Sequence, residues 1–127
     1  MIVGIGIDIL KLDRVSHHVI SEQDSFLMRS FTAAERDEAE GHSSAQVYYS
    51  SRFAAKEAVY KALSSCGIEF RPGEIEVLNK ESGCPYAGLK GKTAKALDSM
   101  LEKPYSIHVS ISHDTEYVSA MALIETN

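Results

Sequence analysis

Long hydrophobic runs are missing from this chain: none approaches the roughly 18 apolar residues of a membrane-spanning helix. The N-terminus also lacks a basic stretch followed by an apolar core, so no signal peptide and no membrane association are expected, and the cytoplasm is the expected compartment. Cysteine is scarce. Cys66 and Cys84 have neither metal-ligand spacing nor a partner motif, so both read as reduced thiols. Positive charge is in deficit, 13 Lys and Arg against 18 Asp and Glu for a net charge of −5. That balance argues against a general nucleic-acid binder, and any phosphate binding must come from a local patch. There is no internal repeat, linker or low-complexity tract. What remains, 127 residues of which 44% are hydrophobic, predicts one compact α+β domain spanning the chain.

Periodicity supplies the elements. Ile2-Val3-Gly4-Ile5-Gly6-Ile7-Asp8 alternates as a strand does, with Val3, Ile5 and Ile7 on one face and Gly4, Gly6 and Asp8 on the other. Leu12, Val15 and Val19 predict a short helix carrying Lys11, Arg14, His17 and His18 outward. Thr32-Ala33-Ala34-Glu35 is a capping-box pattern opening another short helix, which Gly41 can end. A long alanine-rich helix spans roughly Ser44 to Ser65, with Cys66-Gly67 as its stop. Ile75 and Val77 alternate with Glu74 and Glu76 in a half-buried strand, and after a turn ending at Pro85 a second short strand covers Tyr86 to Lys90. Ala94, Leu97 and Leu101 predict a late helix. Ile107, Val109 and Ile111, then Val118, Ala120, Ala122 and Ile124, form a hairpin turning around His113-Asp114-Thr115-Glu116.

The long helix carries the densest chemistry. Along Ser51-Arg52-Phe53-Ala54-Ala55-Lys56-Glu57-Ala58-Val59-Tyr60-Lys61, Phe53, Glu57 and Lys61 share one side, while Ala55, Ala58 and Ala62 face a close neighbour. Two glycines on Asp8's strand face leave room for such a helix to approach. If the two pack, Asp8 and Glu57 converge with Lys61 one turn further on, and paired carboxylates suit Mg²⁺ shared with substrate phosphates. Plainer readings stand beside this one. Asp8 can cap the following helix, and Glu57 can be an i,i+4 ion pair with Lys61 worth about 0.2–0.5 kcal/mol. Gly4-x-Gly6 is not a dinucleotide fingerprint, because Ile9 replaces the third glycine and no second βαβ unit follows. Ser110-Ile111-Ser112-His113 lacks nucleophile-elbow glycines and is no Ser-His nucleophile.

Three segments in order, Gly4-Ile5-Gly6-Ile7-Asp8-Ile9, Arg52-Phe53-Ala54-Ala55-Lys56-Glu57-Ala58 with Lys61, and Ser110-Ile111-Ser112-His113, resemble the holo-[acyl-carrier-protein] synthase family, the small single-domain 4′-phosphopantetheinyl transferases. The likeness runs essentially from end to end. It implies the transferase fold, an antiparallel sheet with a long packed helix, and an Mg²⁺-dependent transfer supporting fatty-acid biosynthesis. In that reaction the 4′-phosphopantetheine arm of coenzyme A passes to a serine of apo acyl carrier protein and adenosine 3′,5′-bisphosphate leaves. By resemblance Asp8 and Glu57 hold the metal, and Lys61 faces the pyrophosphate or the attacking group. Arg52, Lys56, Lys61, Pro85, Ser112 and His113 are the coenzyme-binding set, and Lys11 and Arg14 dock an acidic carrier protein. Glu57, or water on the metal, is the expected base. The family also implies a homotrimer with sites between subunits.

The chain departs from the family pattern in three places. Ser64-Ser65-Cys66-Gly67-Ile68 has fewer glycines than the usual Gly-Thr-Gly-Ile, Gly83-Cys84-Pro85 lacks the usual lysine, and Gly41-His42-Ser43-Ser44 is less basic than its counterpart. A non-catalytic coenzyme A or nucleotide-binding module on the same scaffold, or a carrier-docking protein whose charges are only ion pairs, are the alternatives. The larger two-repeat transferases do not fit, because one motif set fills the chain.

Overall fold

Residues 1–15 and 25–127 are described in this computed structural model. The first strand, β1 (Ile2–Lys11), runs past Asp8 and ends in a single 3-10 turn, Leu12–Arg14. Lys11 therefore closes a strand instead of riding on the expected helix, and Val19, His17 and His18 lie outside the described residues. Among the described residues three helices follow: α1 (Ser25–Ser30), α2 (Ala33–Glu40) and the long α3 (Ala45–Leu63). The rest of the chain is β2 (Ile75–Asn79), β3 (Pro85–Leu89), α4 (Gly91–Leu101), β4 (Tyr105–His113) and β5 (Tyr117–Thr126). All strand pairs are antiparallel, in a three-stranded sheet of order β1-β5-β4 and a two-stranded β2-β3 hairpin.

Side chains set the helix limits. Thr32 Oγ1 accepts from the Glu35 N–H at 3.2 Å, and Glu35 Oε1 accepts from the Thr32 N–H at 2.8 Å, so the predicted capping box opens α2. Ser44 caps α3 by accepting from the Val47 N–H at 3.2 Å. After the 3-10 turn Ser64–Cys66, Gly67 takes φ +69°, a left-handed conformation suited to glycine, and the helix stops there.

Helix α3 lies against the inner face of the three-stranded sheet. Ala54, Ala55, Ala58 and Ala62 are buried there, facing Val118, Ala120, Ala122 and Ile124 of β5. The approach to β1 is at backbone level. A Cβ on Gly4 would sit 1.9 Å from the Ala62 carbonyl oxygen, and one on Gly6 would sit 1.9 Å from that of Ala58. On its other side α3 buries an ion pair: Lys56 Nζ donates to Glu35 Oε1 at 2.8 Å, and both side chains are 0% exposed. Lys56 also donates to the Pro72 carbonyl at 2.9 Å and to that of Ile75, while Glu35 Oε2 accepts from the Val77 N–H at 2.8 Å. One buried charge pair thus joins α2, α3 and β2.

The alternation in β1 is as expected, and the glycine-and-aspartate face turns inward to the helix, as its two glycines suggest. Ile5, Ile7 and Ile9 are 62–66% exposed on the outer sheet face, where Ile7 pairs with the exposed Met121.

The glycine contact sets a stability prediction. Gly6→Ala forces β1 and α3 apart against a backbone atom that cannot rotate away. A loss of about 3 kcal/mol is expected, read as a lowered midpoint in chemical denaturation.

Candidate active site

Asp8 sits within β1, opposite Ala120 of β5, so it is not a helix cap. It is 8% exposed and points toward α3. The glycine contact at Ala58 brings the neighbouring Glu57 carboxyl into hydrogen-bonding reach of Asp8. Partial burial and then the negative charge and hydrogen bond of Asp8 push the Glu57 pKa up, while Lys61 and Arg14 pull it down. Lys61 does not close on its own helix. Its ammonium reaches across to Asp8 Oδ1 at 3.2 Å and to the Ile7 carbonyl at 3.0 Å.

Two carboxylates this close repel in the absence of a cation. All the oxygens they present are hard donors, which fits a small divalent ion that takes its remaining ligands from water and phosphate. Lys61, half exposed, and the exposed Arg14 give the same edge a cationic rim. Lys11 is exposed at the end of β1, on the strand face opposite Asp8, and makes a loose 4.0 Å pair with Asp13.

A second feature lies at the β4 edge. A cleft of about 250 Å³ is lined by Arg52, Ser51, His42, Asn79, Pro85 and His113, among others. The structure therefore brings Arg52, Pro85 and His113 of the resemblance-derived coenzyme set to one cleft. Arg52 is 5% exposed and stacks over the Tyr48 ring at 4.5 Å. Its Nη2 donates to Glu38 Oε1 at 3.1 Å, its Nη1 donates to Ser51 Oγ at 3.3 Å, and its Nε has no partner among the described residues.

Three residues of the expected coenzyme set are placed elsewhere: Lys61 at the Asp8 carboxylate, and also Lys56 and Ser112. Lys56 is a correction: its three donors are committed to Glu35, Pro72 and Ile75 in the core, leaving none for a phosphate. Ser112 is exposed next in sequence to His113, and strand alternation turns it to the outer sheet face, away from the cleft of its own chain.

Sequence reasoning missed Glu38 altogether and gave His42 no role. Glu38 is three residues beyond Glu35 on the same helical face, a spacing that was the available signal. It accepts from Tyr48 Oη at 2.9 Å, from Arg52, and from the Asn79 N–H at 3.0 Å. Burial alone would raise its pKa, but the Asn79 N–H, the Tyr48 hydroxyl and the Arg52 guanidinium together hold it below the ordinary carboxylate value. Burial raises the Tyr48 hydroxyl well above its usual range, so it stays a donor.

The family model for the 4′-phosphopantetheinyl transferase superfamily matches residues 4–122. The chain belongs to that superfamily. Holo-[acyl-carrier-protein] synthases are among its relatives. That of Magnetococcus marinus is 40% identical over 132 residues, covering 98% of this chain and 94% of the relative. That of Fusobacterium nucleatum is 35% identical, covering 98% and 99%. The solved ACPS–CoA complex from Chronobacterium ammoniagenes superposes with a TM-score of 0.84 at 29% identity, covering 98% of this chain and 97% of that one. The fold is that of these transferases, an α+β domain with antiparallel sheets.

The carboxyl pair makes a pH prediction. The folded state binds a proton at Glu57 more tightly than the unfolded chain does, so stability falls as pH rises through the carboxylate range. Glu57→Gln removes the repulsion. In metal-free protein at about pH 8 it should gain roughly 1 kcal/mol, a screened like-charge contact, and lose that gain near pH 4. Melting temperature followed against pH reads both.

Proposed function

We propose that this protein transfers the 4′-phosphopantetheine arm of coenzyme A to a serine hydroxyl of an apo acyl carrier protein, releasing adenosine 3′,5′-bisphosphate. The convergence of Asp8, Glu57 and Lys61 on one sheet edge carries the reading. Membership of the superfamily and the coenzyme A complex among the structural relatives support it. In the proposed step the serine oxygen bonds to the β-phosphorus of the coenzyme. The bridging P–O bond breaks with its electron pair leaving on the nucleotide, and the serine proton goes to Glu57.

Asp8 and Glu57 would hold Mg²⁺, which when bound supplies Lewis-acid neutralisation of phosphate charge. Lys61 adds a fixed cation at the same edge, aimed where negative charge builds on the phosphoryl oxygens. Arg52 and His113 would hold the phosphorylated nucleotide end in the β4-edge cleft, where a guanidinium offers phosphate a fork of donors. Arg14, whose charge acts on Glu57, and Lys11 at the end of β1 would be the docking charges for an acidic carrier. No helix among the described residues is long and apolar enough to cross a membrane. The proposed setting is the cytoplasm, where an exposed thiol such as Cys84 stays reduced.

We further propose a homotrimer with shared sites. The carboxylates lie at β1 and the Arg52–His113 cleft at β4, with β5 between them, so the two halves are set apart within one chain. A second copy presenting its β4 edge to this β1 edge completes one site. The exposed Ile5, Ile7, Ile9 and Met121 on the outer face are apolar area suited to being covered by such a copy. Sedimentation should give three chains per particle. A monomer at working concentration overturns this assembly.

The reaction is tested by the intact mass of an apo acyl carrier protein incubated with this protein, coenzyme A and Mg²⁺. A phosphopantetheine-sized gain is expected, and it should vanish with Asp8→Ala or a chelator. No gain with several carriers, despite measurable coenzyme A binding, would leave a binding module instead. Near-normal turnover by Glu57→Gln at saturating Mg²⁺ would remove Glu57 from both of its roles.

A further inference from the structure

Arg52 reaches the β4-edge cleft from a buried position, and a long side chain there has several rotamers available. Three contacts reduce them to one: the Tyr48 ring beneath the guanidinium, Ser51 Oγ at one terminal nitrogen, and Glu38 at the other. Glu38 does more than pair with Arg52. The same carboxylate accepts from Tyr48 Oη, which fixes the ring under the guanidinium, and from the Asn79 N–H, which ties down the end of β2 where the cleft's far wall begins. One side chain on α2 therefore registers the two walls of the cleft, α3 and the β2-β3 hairpin, against each other.

The donor count explains why a carboxylate is required. Three donors converge on Glu38, and none of them can act as an acceptor in this arrangement apart from the Tyr48 hydroxyl. An ionised carboxylate offers only acceptors and satisfies all three. An amide of the same shape must turn its NH₂ toward either the Asn79 N–H or the Arg52 guanidinium, placing donor against donor. Meanwhile Arg52 has five N–H donors, of which Ser51 and Glu38 take one on each terminal nitrogen; its Nε–H is buried out of a ligand's reach, and the second hydrogen on each terminal nitrogen is left over. The guanidinium is held in place yet keeps donors for a ligand anion.

We infer that Glu38 is a positioning residue for nucleotide-phosphate binding: it acts through Arg52, holding the guanidinium in the cleft in the one orientation that leaves its free donors toward the ligand. The inference rests on the proposed reading of that cleft as the nucleotide end of the coenzyme site. Glu38 touches neither the Asp8–Glu57 pair nor Lys61, so its effect belongs in ligand affinity and not in the chemical step.

The probe is adenosine 3′,5′-bisphosphate, titrated calorimetrically against wild type, Glu38→Ala, Glu38→Gln, Arg52→Ala and the double variant Glu38→Ala/Arg52→Ala. Both Glu38 variants should weaken binding about tenfold, a typical effect of losing one well-placed charged contact. KM for coenzyme A should rise to match, with kcat at saturation within about twofold of wild type. In the Arg52→Ala background the Glu38 substitution should add little, the non-additivity of two residues acting as a unit. If Glu38→Ala fails to fold, the isosteric Glu38→Gln carries the same comparison. Unchanged affinity in the Glu38 variants, fully additive effects in the double variant, or a loss confined to kcat each overturns the role of Glu38 alone. Wild-type protein that does not bind the probe, or binds it undiminished with Arg52→Ala, overturns the cleft reading and this inference with it.

Discussion

A strand and a helix meeting at the level of their backbones is the contact on which the site depends. Gly4 and Gly6 place nothing between β1 and the carbonyls of Ala62 and Ala58, so α3 comes closer to β1 than any pair of side chains would allow. Asp8 follows Gly6 on the same strand face, and Glu57 precedes Ala58 on the helix. Their carboxyls meet because their backbones do. Charge interactions fall off with separation and are screened once water enters, so a gap of one methyl group at Gly6 would weaken the attraction of this pair for a divalent ion. The same approach lets Lys61, a turn beyond Glu57, reach both the Asp8 carboxylate and the Ile7 carbonyl.

Close approach fixes distance but not rotation, and rotation decides which helical face meets Asp8. The buried Lys56–Glu35 pair supplies that restraint. Removing two charges from water is costly, and a buried pair breaks even only when its remaining donors and acceptors are filled. Here they are: the ammonium has three acceptors, and the carboxylate has two backbone N–H groups besides the lysine. Such a pair adds little net stability over an apolar one, but breaking it strands a charge at a cost of about 3–5 kcal/mol. Turning α3 about its axis would break it. Lys56 thereby sets the direction of its neighbour Glu57, which gives a lysine in the middle of the motif a reason to be there without touching a phosphate.

Part of this was legible in the chain. Alternation placed Gly4, Gly6 and Asp8 on one strand face, and the 3.6-residue period placed alanines on the helix face that receives them. The capping box and the hairpin read directly because their signals are local. Other features were not readable, for a physical reason in each case. A lysine reads as solvated unless its partner is known, and the partner of Lys56 is 21 residues away on another helix. Glu38 is tied to Asn79 across 41 residues, and no local pattern carries a bond of that span.

The division of charge bears on how an acidic protein can handle an anionic ligand. Net charge acts at long range and is screened within about 10 Å at moderate salt, so local arrangement governs binding. At the β1 edge, Lys61 and Arg14 surround two carboxylates that nearly cancel them, and that edge becomes attractive to phosphate only once a cation has neutralised the carboxylates. At the β4 edge the guanidinium of Arg52 is partly offset by Glu38, yet each terminal nitrogen keeps one hydrogen that Glu38 and Ser51 do not take. Neither edge alone offers a strong field. On the proposed trimeric reading, a coenzyme lying between two copies would place its nucleotide end against one chain's Arg52 and its reacting phosphorus against the other's Lys61. Affinity would then require both copies, and a lone chain would hold each end of the ligand only weakly. Assembly, metal and coenzyme would thus be linked through the same pair of sheet edges.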